Sequence, residues 1–135
     1  MTQLAKALLL IGYTVVFVRP AFAQNKSDET KAFVVSDSLA KVGEAVWSAK
    51  GCLSCHTIGK ESVLAPDLAG VLTRRTPEWV RSFIRDPDAL LERDDTAKAL
   101  LERYNFLRMP NFKLTDAEID AVMHYIAAQS RHQKK

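Results

Sequence analysis

Cys52-Leu53-Ser54-Cys55-His56 constrains this chain more than any other stretch, because it holds the only two cysteines in 135 residues. Four chemistries use a Cys-x-x-Cys. A zinc site needs four ligands, and the chain offers neither a second cysteine pair nor a His-x3-His. A thioredoxin-like redox pair needs a βαβ setting, and no segment alternates long enough to be a strand. A disulfide between neighbouring turns would constrain almost nothing. The histidine directly after the second cysteine favours the fourth chemistry, covalent attachment of haem. Cysteines at i and i+3 lie on one side of a helical turn, so both sulfurs can form thioethers with the vinyl groups along one porphyrin edge. His56 is then aimed beneath the ring, where its imidazole can bind iron. Thioethers consume both thiols, so two cysteines are the right number for one haem.

Such attachment happens outside the cytoplasm, and the amino terminus fits. Residues 1–23, MTQLAKALLLIGYTVVFVRPAFA, carry Lys6 and then an apolar run from Ala7 to Val18. As a helix the run spans about 18 Å, against about 30 Å of bilayer core. Ala21-Phe22-Ala23 supplies the small residues of a cleavage site, so 1–23 reads as a secretory signal peptide cut before Gln24. An uncleaved anchor is the alternative; the short run and Arg19-Pro20 argue against it. Without Lys6 and Arg19 the 19 basic residues fall to 17, against 16 acidic. That near balance gives no footing for nucleic acid. Arg131, Lys134 and Lys135 make 131–135 a basic tail, read as a solvated end. At 47% hydrophobic and 26% charged residues, the composition excludes a disordered or collagen-like chain and suits one domain.

Residues 24–36 read as an extended lead-in. A first helix is expected from Asp37 or Ser38, either able to cap it, with Leu39, Val42, Val46 and Trp47 as its apolar stripe. Residues 57–75, with Gly59, Pro66 and Gly70, read as a loop. Thr76-Pro77-Glu78 starts a helix carrying Trp79, Val80, Phe83 and Ile84, which stops at Asp86-Pro87. Residues 88–104 read as one or two helical segments, with Ala97, Leu100, Leu101 and Tyr104 on one face. The pentapeptide ALLER at 89–93 and 99–103 is a coincidence of good helix formers. A loop with Pro110 follows. Thr115 and Glu118 then form a capping box for a last helix striped by Ile119, Val122, Met123 and Ile126.

Gly43-x-x-x-Trp47 precedes GCLSCH, APDL stands at 65–68, RMPNF at 108–112 and LTDAEIDAVMHYIA at 114–127. In this order, over about residues 38–128, the chain resembles the small mono-haem class I cytochromes c. The resemblance implies an all-α fold of three to five helices, with long loops wrapped around one haem c attached through Cys52 and Cys55. It makes residues 37–130 the haem domain. It implies His56 and Met109 as the iron ligands, Pro66 as the acceptor of the histidine's other ring N–H, and Leu68 of the same APDL stretch as a further haem-binding residue. Arg74, Arg75 and Trp79 fall where the family has donors to the haem propionates. Gly43 and Trp47 match the family's helix crossing, with an aromatic packed near Tyr125. The competing assignments are bland: core filling for Met109 and Trp79, and a solvated pair for the arginines. Met123 reads as core, His124 as a solvated histidine, and His132 as part of the tail.

If both axial positions are filled, iron keeps no open site for a substrate. The expectation is therefore a periplasmic carrier of single electrons rather than an enzyme, docking transiently at the haem edge with redox partner proteins. Contact with a membrane would come only through a partner or an uncleaved amino terminus. The alternatives are an electron-entry subunit of a larger oxidoreductase, and a five-coordinate haem sensor or peroxidase-like enzyme.

Overall fold

Ser36, Thr76, Asp86, Asp94 and Thr115 each place a side-chain oxygen on the backbone N–H three residues ahead, and each begins a helix. The computed structural model describes residues 32–61 and 64–133. The expected signal at 1–23, the start of the lead-in and the last two residues of the tail lie outside the described residues. Among the described residues six α-helices run in order: α1 (Asp37–Ala49), α2 (Val71–Arg74), α3 (Pro77–Arg85), α4 (Pro87–Arg93), α5 (Asp95–Arg103) and α6 (Asp116–His132). A 3-10 turn spans Cys52–Ser54 between α1 and α2, and no strand occurs among the described residues.

The fold is all-α as expected, with more helices than the three to five anticipated. The extra one is α2, a single turn inside the expected loop, begun by Gly70 in the left-handed region at φ +66°. Residues 87–103 form two helices, the larger of the two numbers anticipated, divided at Asp94. That residue caps α5 by accepting the Ala97 N–H at 2.8 Å, so the two ALLER copies end two separate helices.

The expected stripe of α1 needs correction. Leu39 and Val42 are exposed, and the buried face is Ala40, Gly43 and Trp47. The helix is capped by Ser36, whose Oγ accepts the Leu39 N–H, rather than by Asp37 or Ser38. The physical cause is the crossing with α6. A Cβ on Gly43 would stand 2.0 Å from the Ala121 carbonyl oxygen, so the helices touch backbone to backbone where no side chain fits. Trp47 then packs on Tyr125, ring centroids 5.7 Å apart.

The stripe of α6 is as expected: Ile119, Val122, Met123 and Ile126 are all buried. Each such side chain contributes roughly 1.5–3 kcal/mol through removal from water. Val80 of α3 joins Ile119 and Met123, while Leu90, Leu91 and Ala97 form a separate cluster under Trp79 and Phe83. Ion pairs Arg81–Asp120 and Arg85–Asp116 tie α3 to α6. They are partly exposed and worth little beyond holding register. None of the helices described is long and apolar enough to cross a membrane.

His124 is not the solvated residue the sequence suggested. Its Nδ1 accepts the Ser36 N–H at 3.1 Å, and its ring lies 4.7 Å from Phe33. The lead-in is thereby fastened to α6, with Phe33 against the core.

Candidate haem-binding site

Between α1 and the 3-10 turn the chain must reverse sharply, and Gly51 does so at φ +69°. A Cβ there would meet only the Ser54 Oγ at 3.7 Å, so backbone conformation rather than room requires glycine. The turn closes through the Cys55 and His56 N–H groups on the Cys52 carbonyl at 3.3 and 3.0 Å. One tight turn therefore delivers both thiols and the imidazole to the same wall of a cavity.

That cavity has a volume of about 560 Å³, within the range of ordinary small-molecule sites. Cys52, Cys55, His56, Pro66, Leu68, Arg74, Trp79 and Met109 all line it. The rest of the lining is mostly apolar: Trp47, Val122 and Ile126 from the helix crossing, with Phe83 and Ile84 from α3. Met123, His124 and His132 are absent from it. Sequence reasoning missed the part played by α4 and α5. Leu91, Ala97, Leu100, Leu101 and Tyr104 complete the cavity wall; their helical spacing was visible, but not what they face.

The imidazole is already oriented. His56 Nδ1 lies 2.9 Å from the Pro66 carbonyl oxygen, which can only accept, so Nδ1 carries the proton. Nε2 then keeps its lone pair. Burial holds His56 below the ordinary histidine range, against the opposing pull of the Pro66 carbonyl. The neutral form that a metal needs is thus the favoured one. Burial also pushes the Cys52 thiol up, with a backbone hydrogen bond opposing. A dithiol redox pair requires the reverse shift.

The loop bearing Pro66 is organised by Asp67, which sequence reasoning passed over although it sits inside APDL. Its Oδ1 accepts the N–H groups of Gly59 at 2.7 Å and Lys60 at 3.4 Å, and its Oδ2 accepts that of Ala69 at 3.2 Å. The Thr57 hydroxyl shares its proton between Asp67 Oδ1 at 3.0 Å and the Lys60 carbonyl at 2.6 Å.

The expected propionate donors have protein acceptors here. Arg74 donates to the carbonyls of Ala69 and Asp67. The Arg75 guanidinium lies 5.6 Å from the centre of the Trp79 ring and donates to the Arg74 carbonyl at 3.2 Å. The Trp79 indole N–H goes to Asp94 at 3.0 Å. The single indole N–H of Trp79 would have to leave Asp94 to serve a propionate, whereas a guanidinium has five N–H donors and needs no such exchange.

The residues present fit a haem by the chemistry of their donors. Two half-buried thiols and a neutral imidazole on one turn meet a thioether donor, Met109, in an otherwise apolar cavity.

Comparison with known proteins agrees. The family model for cytochrome c matches residues 40–130. The cytochrome c domain of a protein from Pseudomonas putida is 38% identical, with a TM-score of 0.58, and the match covers 66% of this chain and 88% of that one. Cytochrome c from Rhodothermus marinus is 23% identical at a TM-score of 0.68, covering 74% of this chain and 84% of that one. An engineered form of the Rhodothermus marinus protein, bound to a carbene intermediate, is 21% identical at a TM-score of 0.62, covering 73% and 82%. Among curated proteins none matches.

Proposed function

The chain belongs to the cytochrome c family, and from that premise we propose that it is a periplasmic single-electron carrier with His56 and Met109 as its axial iron ligands. Membership implies a covalently attached haem c and a role in electron transfer; Cys52 and Cys55 would hold the group by thioethers. One observation carries the finer reading. Both thiols, Met109 and a His56 already oriented by Pro66 line a single apolar cavity.

When bound, haem c supplies reversible one-electron exchange at iron. The chain's own residues do the rest. His56 offers Nε2 because its Nδ1 proton is committed to Pro66. Met109 offers a neutral, soft sulfur, which favours the reduced state relative to a second imidazole. Apolar side chains from all the longer helices exclude water from around these donors. With His56 and Met109 both holding the iron, no place would be left on it for a substrate, which supports a carrier of electrons rather than an enzyme.

Leu64 and Leu107 line the cavity yet are each 50% exposed. They supply an apolar rim where donor and acceptor proteins dock in a small, transient interface. Export is supported by the signal-like residues 1–23.

A near-infrared spectrum of the ferric protein tests the ligation, a sulfur-to-iron charge-transfer band being expected. Rapid carbon monoxide binding by the ferrous protein would support a five-coordinate sensor or enzyme instead. Met109→His is expected to lower the midpoint potential substantially, and an unchanged potential would remove Met109 from the iron.

A further inference from the structure

We propose that Asp67 is a positioning residue for the haem ligand, its carboxylate holding the Pro66 carbonyl on His56 and thereby setting the midpoint potential. This rests on the reading of His56 as an iron ligand. Pro66 reaches His56 only through its backbone carbonyl, and a carbonyl can be aimed only by fixing the chain around it. Proline has no N–H to help with that.

Asp67, the next residue, does the fixing from both sides. Its Oδ1 grips Gly59 and Lys60, which follow the haem-attachment turn, and its Oδ2 grips the Ala69 N–H beyond it. The strand of chain is tied again by the Leu68 N–H on the Thr57 carbonyl at 2.8 Å and by Arg74 on the Asp67 carbonyl at 3.2 Å. The clamp thus joins the segment just after His56 to the segment around Pro66. Hydrogen bonds to a charged acceptor are about twice as strong as neutral ones. A carbonyl held on Nδ1–H makes the imidazole a stronger donor and stabilises the ferric state.

The test compares Asp67→Ala with Asp67→Asn as haem-loaded proteins. The readouts are midpoint potential and hydrogen exchange of the His56 Nδ1 proton by NMR. Both variants remove the charge, but asparagine keeps an oxygen for Gly59, Lys60 and Thr57. The expected result is a higher potential in Asp67→Ala than in Asp67→Asn. The difference should be about tenfold in the redox equilibrium, or ~59 mV for one electron, with faster exchange of the ring proton only in Asp67→Ala. Equal potentials and equal exchange in the two variants overturn the proposal, because loss of charge alone would then explain any shift.

If Asp67→Ala yields no holoprotein, exchange in the unsubstituted holoprotein decides. The Gly59 amide and the His56 ring proton should open with the same free energy, and independent opening overturns the proposal. A wild-type spectrum without histidine-ligated haem would instead sink the ligand reading itself, whatever Asp67 does.

Discussion

The α1–α6 crossing and the cavity wall built by α3, α4 and α5 each hold an aromatic pair, yet they are assembled by opposite means. At the crossing, Trp47 and Tyr125 flank a point where backbones meet because Gly43 has no side chain. At the wall, Trp79 and Phe83, ring centroids 5.3 Å apart, both stand on α3, which the Asp86 cap joins directly to α4 and which lines the cavity. The specificity of the first region lies in a missing atom. That of the second lies in the capping bonds that set where its short helices begin. Close packing frames the molecule, and hydrogen-bonded capping shapes the space for a guest.

Three substitutions or conditions probe that contrast. Gly43→Ala should have the largest effect, because the new Cβ meets the Ala121 backbone rather than a side chain that could swing away. We expect a loss of about 3 kcal/mol or more, read by denaturant unfolding; a loss below 1 kcal/mol would mean that the helices can part cheaply.

Asp94→Ala should cost about 2 kcal/mol, combining the α5 cap with the Trp79 indole bond. The haem absorption and midpoint potential should move with it, since the wall carries Trp79. Stability lost with no change in either readout would detach the wall from the site.

The smallest effect concerns the lead-in. Burial lowers the His124 pKa, Asp120 opposes this and Arg81 adds to it. The unfolded chain therefore takes up the proton first, and stability should fall as pH drops through the ordinary histidine range toward the lowered folded value. Protonated Nδ1 cannot accept the Ser36 N–H. The Ser36 amide signal should shift in step with the His124 ring, while the Gly43 amide at the crossing stays put; coordinated movement of both would merge the two regions into one cooperative unit.

Much of the frame was legible in the sequence. Thr76 before Pro77 and the Thr115–Glu118 box announce helix starts through chemistry local to a few residues, while Asp86-Pro87, read as a stop, also caps the start of α4. The α6 stripe was legible because large apolar side chains carry the period. The same logic failed for α1. Its buried face is set by Ala40 and Gly43, which give almost no hydrophobic signal, while exposed Leu39 and Val42 give a strong one. In the site, the Cys52–His56 pentad and RMPNF stood out by residue type. Asp67 and Asp94 did not, because a carboxylate's partners are chosen by the fold and leave no mark in spacing. The charged stretch 86–107 hid a cavity wall for a related reason: an apolar stripe shows that a helix is covered, not what covers it.

By itself the sequence determined the helical punctuation and the chemistry available, with two thiols and a histidine on one turn and a thioether before the last helix. Those are properties of neighbours in the chain. Only the tertiary structure decided that α1 buries its small residues, that α4 and α5 face the cavity, and that the Trp79 indole N–H finds Asp94 3.0 Å away. Each depends on a backbone approach between distant segments, and such an approach is settled by packing and hydrogen-bond satisfaction across the whole fold.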